Sequence, residues 1–478
     1  MQIAELVKLI KNQEISGLSS NSRLVRKNSI FVAVKGSRKD GSRFINEAVD
    51  RGAKFVVCDA GVKVNRFKPA EFIRVKNTRL ALAGLASQFY RNPSRKVKVI
   101  GITGTNGKTT ITYLLEAILK EAKFSSGVIG TINYRFKDKV IPAKNTTPGP
   151  VELQSILARM EKEKIKYAAV EVSSHALDQE RVGQVHFHSA IFTNLTRDHL
   201  DYHRTLEGYF KAKLKLFRNL SLSSFAVINN DNRYAGRIKK VTCAKIITYG
   251  IDNKAEVLAR DIKFDVRHTE FKLLFCGREI KFRINLIGRH NVYNTLASIA
   301  WALKAGISLK VIKSALENFS LVPGRLERIN SPKGFCVFVD YAHTDDALKN
   351  ALTALRQLSP KRIITLFGCG GERDRLKRPK MGRVVTALSD FAVITSDNPR
   401  SEDPAGIIRD IRRGIKKNNY CAIPDRKRAI QKVLSLAGRG DIVLLAGKGH
   451  ENYQVLKAKA IHFDDRKEVR RCLKFPNY

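Results

Sequence analysis

Val97-Lys98-Val99-Ile100-Gly101-Ile102-Thr103-Gly104-Thr105-Asn106-Gly107-Lys108-Thr109-Thr110 is an apolar run that breaks into a glycine-rich turn and closes on Lys-Thr-Thr. Residues 111–119 follow with a helix-like pattern. A strand that feeds a glycine turn and then a helix can cradle phosphates with backbone N–H groups and a helix N-terminus. In such a turn Lys108 reaches the terminal phosphates and the Thr109 hydroxyl holds Mg²⁺. The general phosphate-loop pattern puts glycine at position 102, where this chain has Ile102, so the match is to a shorter variant. The stretch Gly104, Thr105, Asn106, Gly107, Lys108, Thr109 and Thr110 therefore reads as a nucleotide site rather than a structural turn.

Outward from this loop, the region from 95 to about 322 alternates apolar runs with helical patterns. Strands are expected at 97–102, 168–172, 190–193 and 225–228, and helices at 209–217 and 291–304. That alternation predicts an α/β fold with a parallel sheet covered by helices. Residues up to about 93 read as a smaller α/β unit, with strands at 29–34 and 55–58 and a helix at 44–51. Asn92-Pro93-Ser94 and Pro323-Gly324 mark breaks. Beyond the second, strands at 336–339, 363–367, 392–395 and 442–445 alternate with helices at 347–358 and 405–415, a second doubly wound, Rossmann-like arrangement. The domains expected are 1–94, 95–322 and 323–478, in keeping with about three units of ~150 residues for this length.

A hydrophobic fraction of 43% supports packed cores. No apolar run approaches the ~20 residues that span a bilayer, and Met1–Leu6 lacks a basic, then apolar, leader pattern. Seven cysteines are scattered without a C-x-x-C pair, which fits reduced thiols in a cytoplasmic protein. The net charge is +44. Its basic residues are dispersed, with no polybasic tail and no aromatic-interleaved stripe, so a lysine-rich surface is favoured over a nucleic-acid site.

Four further patterns carry chemistry. Glu171-Val172-Ser173-Ser174-His175-Ala176-Leu177 ends a strand, where ligands of open α/β sheets sit and where Glu171 can meet a metal. Asn194-Leu195-Thr196-Arg197-Asp198-His199-Leu200-Asp201-Tyr202-His203 is a dense His/Asp cluster. Asp397-Asn398-Pro399-Arg400 and Gly447-Lys448-Gly449-His450-Glu451 both follow strands.

Taken in order, these residues closely resemble the Mur ligases, the ATP-dependent amino-acid-adding enzymes of peptidoglycan synthesis. The resemblance runs from about Asn21 to Glu468. It also rests on Asn145-Thr146-Thr147-Pro148, Gly288-Arg289-His290-Asn291-Val292-Tyr293-Asn294, Pro323-Gly324-Arg325-Leu326-Glu327, Asp340-Tyr341-Ala342-His343-Thr344 and residues 367–378. Within the family the pattern is similar to that of members adding the third residue. The resemblance implies an N-terminal domain for the UDP end, a central P-loop ATPase and a C-terminal domain for the incoming amino acid. It implies that a D-glutamate carboxylate of UDP-N-acetylmuramoyl-L-alanyl-D-glutamate attacks ATP to give an acyl phosphate, which an amine then displaces.

Carried over residue by residue, Lys108, Thr109 and Glu171 would serve the phosphates and Mg²⁺, with His199 in the second metal region. Lys213 aligns with a lysine that family members carry as a carbamate. An ammonium cannot bind Mg²⁺, whereas a carbamate offers hard oxygens. Asn291 and Asn294 resemble adenine contacts, and Arg325 and Asp340 other nucleotide contacts, with His343 as a further candidate. Ser22, Thr146, Thr147, Ser173, Gln179 and Arg181 fall where the family holds the UDP-muramoyl dipeptide. Arg at the end of Asp397-Asn398-Pro399-Arg400 marks members that add meso-diaminopimelate, whose second carboxylate an Arg fork can hold bidentately. Arg373 would clamp a carboxylate too, while Asn398, Gly447 and Glu451 would meet the amino-acid ends. Small-molecule substrates only, no membrane insertion and a monomer are expected.

Asn21 replaces the usual Asp, Asp40-Gly41-Ser42-Arg43 lacks the usual His, and Asp345 replaces a usual Pro. The alternatives are a sister ligase adding L-lysine or another diamino acid, folylpolyglutamate synthetase, a non-catalytic relative, and a basic P-loop NTPase acting on nucleic acid. The last would show salt-sensitive DNA or RNA binding. Lys108→Ala is expected to abolish ATP-dependent turnover, measured as phosphate release.

Overall fold

The computed structural model describes residues 14–36, 40–62, 70–457 and 459–474. The stretch read for a leader, 1–6, lies outside them. Three main sheets follow one another along the chain, with a small hairpin of Tyr453–Leu456 and Lys459–His462 near the end.

The first sheet is parallel throughout and runs Gly17–Ser19, Ser29–Val32, Ala53–Asp59, Glu71–Val75. Its alternate side chains build two cores, as the two-residue strand period requires. Ile30, Val32, Phe55 and Val57 pack with Leu82 and Leu85, while Phe31 and Val56 pack with Ile45 and Ala48. Leu82 and Leu85 belong to the helix Thr78–Phe89, capped by Asn77, whose side chain accepts from Arg79 and Leu80 N–H. The expected helix at 44–51 is Ile45–Asp50 behind a 3-10 turn, Gly41–Phe44.

The second sheet has eleven strands. Its parallel centre runs Ser126–Ile129, Tyr167–Glu171, Lys98–Thr103, Phe187–Phe192, Phe225–Asn229, Lys245–Gly250, Val257–Phe264. Helices cover both faces, so these strands read as continuous apolar runs. Ile100 and Ile102 join one core and Val99 the other. Trp301, fully buried, donates its indole N–H to Ser189 Oγ at 2.8 Å, fixing the helix Arg289–Lys304 to the sheet. Both wings are antiparallel, a difference from the all-parallel expectation: Asn133–Phe136 with Lys139–Pro142 on one side, Thr269–Phe275 with Arg278–Ile284 on the other. Their exposed faces carry charge, as at Arg278, Glu279, Lys281 and Arg283 in the strand Arg278–Ile284, so no apolar run marks them.

The third sheet runs Glu327–Asn330, Cys336–Asp340, Ile442–Ala446, Ile363–Phe367, Phe391–Ile394, Tyr420–Ala422, parallel except for the first strand. The final helix, Asp465–Lys474, is tied to it by one buried ion pair. Arg426 Nη2 and Nε meet the Asp465 carboxylate at 2.6 and 2.8 Å, and both side chains are fully buried. Asp465→Asn leaves that guanidinium buried without its counter-charge, and a loss of about 3–5 kcal/mol is expected. Urea denaturation followed by circular dichroism checks it.

Candidate active site

Strand order points to where a ligand can enter. In the second sheet the chain leaves Lys98–Thr103 in both directions, and in the third it leaves Cys336–Asp340 before Ile442–Ala446 inserts beside it. Such reversals open crevices at the carboxyl ends of strands. Here both carboxyl edges face one cavity of about 970 Å³. Pro323-Gly324 joins the two sheets, and Gly324 has φ +67°. A Cβ on Gly324 would lie 2.1 Å from the His450 nitrogen, so the linker and the Gly447–Glu451 loop touch backbone to backbone.

The glycine-rich turn is similarly crowded. A Cβ on Gly104 would sit 1.8 Å from Thr193 Oγ1, and one on Gly107 2.3 Å from Asn294 Oδ1. Lys108 begins the helix Lys108–Glu121 and turns back, its ammonium donating to the Gly104 and Thr105 carbonyls at 2.9 and 2.7 Å. Burial holds the Lys108 pKa below the ordinary lysine value. Thr109 Oγ1 donates to Glu171 Oε2 at 3.0 Å, and Arg325 Nη2 donates to that hydroxyl at 3.2 Å. Glu171 is 1% exposed and takes two more bonds, from the Thr131 hydroxyl and N–H, both at 2.9 Å. Among the described residues this carboxylate has no ion-pair partner.

Lys213 lies on the helix Leu206–Arg218 and is 2% exposed. Its nitrogen donates to the Gly104 carbonyl at 2.8 Å and stands 4.5 Å from the Tyr209 ring centre. Burial, then the Lys108 charge, push its pKa well below the lysine range, which favours the neutral amine. His199 occupies a left-handed turn at φ 53°, with Nε2 3.3 Å from Asp198 Oδ2. Burial lowers its pKa to about 3.

No three His, Cys, Asp or Glu side chains among the described residues meet at metal-ligand spacing. A cation that takes few protein ligands and keeps water and phosphate oxygens fits the Thr109–Glu171 pair instead. Thr109, Glu171, His199 and Lys213 all line the one cavity, although only the first two touch.

Asn291 and Asn294 are buried on the cavity wall, Asn294 Nδ2 donating to Asn291 Oδ1 at 3.0 Å. Asp340 ends its strand and accepts from Leu326 and Ala342 N–H at 2.6 and 2.8 Å. Burial raises its pKa. His343 Nδ1 lies 2.9 Å from the Tyr341 carbonyl.

Thr146, Thr147, Ser173 and Arg181 line the same cavity. Thr147 Oγ1 donates to the Glu171 carbonyl at 2.7 Å, and Arg181 Nη1 to the Thr147 carbonyl at 3.0 Å. Gln179 does not line it; its carbonyl holds the Arg181 guanidinium at 2.8 Å. Ser22 lies away from it as well, its hydroxyl donating to Glu47 at 2.8 Å. A second cavity, about 500 Å³, adjoins the first sheet and is lined by Lys35, Asp40, Ser42 and Arg43.

Around the third sheet, Arg373, Asp397, Asn398, Arg400, Gly447 and Glu451 line the large cavity. Arg400 has φ 55° and donates from Nη1 to the Gly371 carbonyl at 2.7 Å. Asn398 Nδ2 donates to Glu451 Oε2 at 2.9 Å. Burial, then Asp397, raise the Glu451 pKa.

Two residues escaped the sequence reading. Asp346 Oδ2 accepts from the Asn106 amide and the Thr196 hydroxyl, each at 2.8 Å, across 240 and 150 residues. Lys448 is fully buried beside Asp397 and Glu451. Only its lysine-between-glycines setting could have singled it out.

A glycine-rich loop, a buried carboxylate and a pocket of both charges on two joined sheets fit a ligase class, and comparisons agree. Family models match at residues 14–90 (Mur ligase family, catalytic domain), 102–302 (Mur ligase middle domain) and 324–449 (Mur ligase, glutamate ligase domain). The chain belongs to the Mur ligase family. It is 44% identical to the UDP-N-acetylmuramoyl-L-alanyl-D-glutamate–2,6-diaminopimelate ligase of Clostridium botulinum, over 97% of this chain and 96% of the relative. It is 46% identical to an enzyme of that name numbered 1 from Clostridium acetobutylicum, over 97% and 95%. A solved structure titled with the same ligase name superposes at TM-score 0.69, with 32% identity over 98% of this chain and 96% of the other.

His290 and His450, at the cavity and the linker, are held at about 4 and about 3 by burial, with Arg325 adding repulsion. Unfolded histidine titrates near ~6.5, so the unfolded chain binds more protons below that pH. Their contribution to stability is therefore complete above ~6.5 and is lost as pH falls toward ~4. The melting temperature should drop between pH 7 and pH 5, and His290→Asn should flatten the drop in scanning calorimetry.

Proposed function

We infer that this chain joins meso-2,6-diaminopimelate to the D-glutamate carboxylate of UDP-N-acetylmuramoyl-L-alanyl-D-glutamate, with ATP consumed to ADP and phosphate. The observation that carries this reading is the meeting, in one cavity, of the phosphate loop with a pocket of two arginines and two carboxylates. A diamino diacid presents an ammonium–carboxylate pair at each end, and that pocket is its charge complement. The names of the relatives at 44 and 46% identity agree with it.

In this reading Lys108, the 104–110 backbone and Arg325 hold the ATP phosphates. Asn291 and Asn294 face the adenine, and Asp340 the rest of the nucleoside, with His343 nearby. Thr109 and Glu171 hold Mg²⁺, with His199 and a carbamate on Lys213 serving a second ion; bound Mg²⁺ supplies charge neutralisation at the crowded oxygens. The glutamate carboxylate oxygen bonds to the γ-phosphorus, ADP leaves, and an acyl phosphate forms. The amine of diaminopimelate then attacks the acyl carbon, loses a proton and expels phosphate. Arg181, Thr146, Thr147 and Ser173 orient the dipeptide, with Gln179 acting through Arg181. Burial around Lys108 and Lys213 excludes water from the acyl phosphate.

Arg400 and Arg373 bind the distal carboxylate, Asp397 and Glu451 the ammonium beside it, and Gly447 leaves room at the strand end. Segments 1–94, 95–322 and 323–478 serve the UDP end, ATP and the amino acid respectively. A cytoplasmic monomer suits such small substrates, and among the described residues no helix is long and apolar enough to cross a membrane. An L-lysine-adding sister would leave Arg400 without its carboxylate.

Phosphate release with Mg-ATP and the UDP-muramoyl dipeptide tests this, with meso-diaminopimelate and L-lysine in separate reactions. Release with diaminopimelate alone, plus tripeptide product by mass, is expected. Release with lysine alone would overturn the specificity, and silence in both would overturn the reaction.

A further inference from the structure

Lys448 enters none of the roles above, yet it is the fully buried cation of the amino-acid pocket. It follows the strand Ile442–Ala446, in a turn where Gly447 and Gly449 have φ +111° and +52°. Its ammonium donates to Asn398 Oδ1 at 3.1 Å and to the Tyr453 carbonyl at 2.8 Å. It stands 3.5 Å from Asp397 Oδ1 and 3.6 Å from Glu451 Oε2. Asp397 Oδ1 is buried and accepts no hydrogen bond, so this ion-pair contact is its compensation within the protein.

Asn398 is largely committed inward. Its Oδ1 accepts from Lys448 and from Val455 N–H at 3.0 Å, and its amide donates to Glu451. Val455 in turn accepts the Arg400 N–H at 3.1 Å, which supports the left-handed backbone from which the Arg400 side chain leaves. Removing Lys448 thus changes two things at once: the anchor of this network and the charge balance of the acidic pair. With Lys448 gone the two carboxylates lose their nearest cation, and one of them takes up a proton more readily.

We propose that Lys448 is a positioning residue that keeps Asp397 and Glu451 both ionised around one cation, so that the pair offers a single uncompensated negative charge to an ammonium of the incoming amino acid. This rests on the diaminopimelate reading and deepens it. Lys448 supplies the counter-charge and Asn398 the alignment, and the substrate ammonium completes a balanced cluster. Glu451 is faced by Asp397, Lys448, Tyr341 at 3.5 Å, Tyr453 and Arg426. Burial and Asp397 raise its pKa while Lys448 lowers it. Without Lys448 the carboxyl would hold its proton to higher pH, and a protonated Glu451 no longer attracts an ammonium.

The test is the pH profile of kcat/KM for meso-diaminopimelate in the full chain, at saturating ATP and UDP-muramoyl dipeptide. Lys448→Met should raise the KM for diaminopimelate about tenfold at neutral pH while the KM for ATP stays within about twofold. The acid limb of the profile should move up by about one unit or more. Lys448→Arg should keep the limb at its wild-type place, and Asp397→Asn added to Lys448→Met should move it back, because a single carboxylate then remains. An unmoved limb in Lys448→Met, or a loss equal at all pH values and untouched by the second substitution, would show that Lys448 only packs. Wild-type enzyme that leaves diaminopimelate unused would instead sink the functional reading, so the two failures are distinct.

Discussion

Glu171 and Lys213 are buried groups at the two ends of the phosphate loop, and among the described residues neither has an ion-pair partner. Glu171 meets Thr109 at the end of the loop, and Lys213 meets the Gly104 carbonyl at its start. A charge taken from water without a counter-charge is costly, and hydrogen bonds from neutral donors recover part of that cost. The neighbouring chain is arranged to supply them. Thr131 gives Glu171 two bonds, Thr147 ties down its backbone carbonyl, Arg181 ties down Thr147, and Arg325 reaches Thr109 from beyond the linker. The contacts expected for the dipeptide and those expected for ATP thus share one buried carboxylate. On the proposed reading, a change at Glu171 is felt on both sides of the reaction.

The second constraint is close approach. The phosphate loop can lie against Thr193 and Asn294, and the linker against the 447–451 loop, because glycine stands at positions 104, 107, 324 and 449. Asp346 adds a polar tie between the first turn of its helix and the loop residues Asn106 and Thr196. One cavity spans two sheets because these contacts bring their carboxyl edges together. On the proposed reading, the amine of an amino acid held on the third sheet then reaches an acyl phosphate formed on the second.

Much of this was legible in the sequence because buried parallel strands are apolar along their whole length and end in polar motifs. The strands at Lys98–Thr103, Tyr167–Glu171 and Ile363–Phe367, and the motifs after them, read directly. The antiparallel wings did not, because half of each strand faces solvent and carries charge. The helix Thr78–Phe89 carries only a weak apolar period on its alanine-rich face, so no local pattern predicts it. Asp346 takes partners that lie far along the chain, and no local pattern marks Lys448, although it sits inside the 447–451 motif, as buried. Ser22 and Gln179 show the converse, since a residue in a motif can spend its side chain on a neighbour, Glu47 or Arg181, rather than on the cavity.

The net charge of +44 and the charges of the cavity act over different distances. At ~0.1 M salt the field of exposed charges fades over ~10 Å, so a surplus of surface lysine and arginine draws every anionic reactant alike and cannot choose among them. Choice has to come from groups fixed in the cavity wall. Along the cavity wall Lys108 and Arg325 stand at the phosphate loop beside Glu171, and Arg373 and Arg400 line the end that holds Asp397 and Glu451. The first half suits any triphosphate. The second half suits a ligand whose far end carries both signs, because an amino acid with an ammonium alone would satisfy the carboxylates and leave the arginines without a carboxylate. On the proposed reading, discrimination against such a ligand is the lost pairing of a carboxylate with Arg373 and Arg400, and it depends on their local geometry rather than on the total charge of the chain.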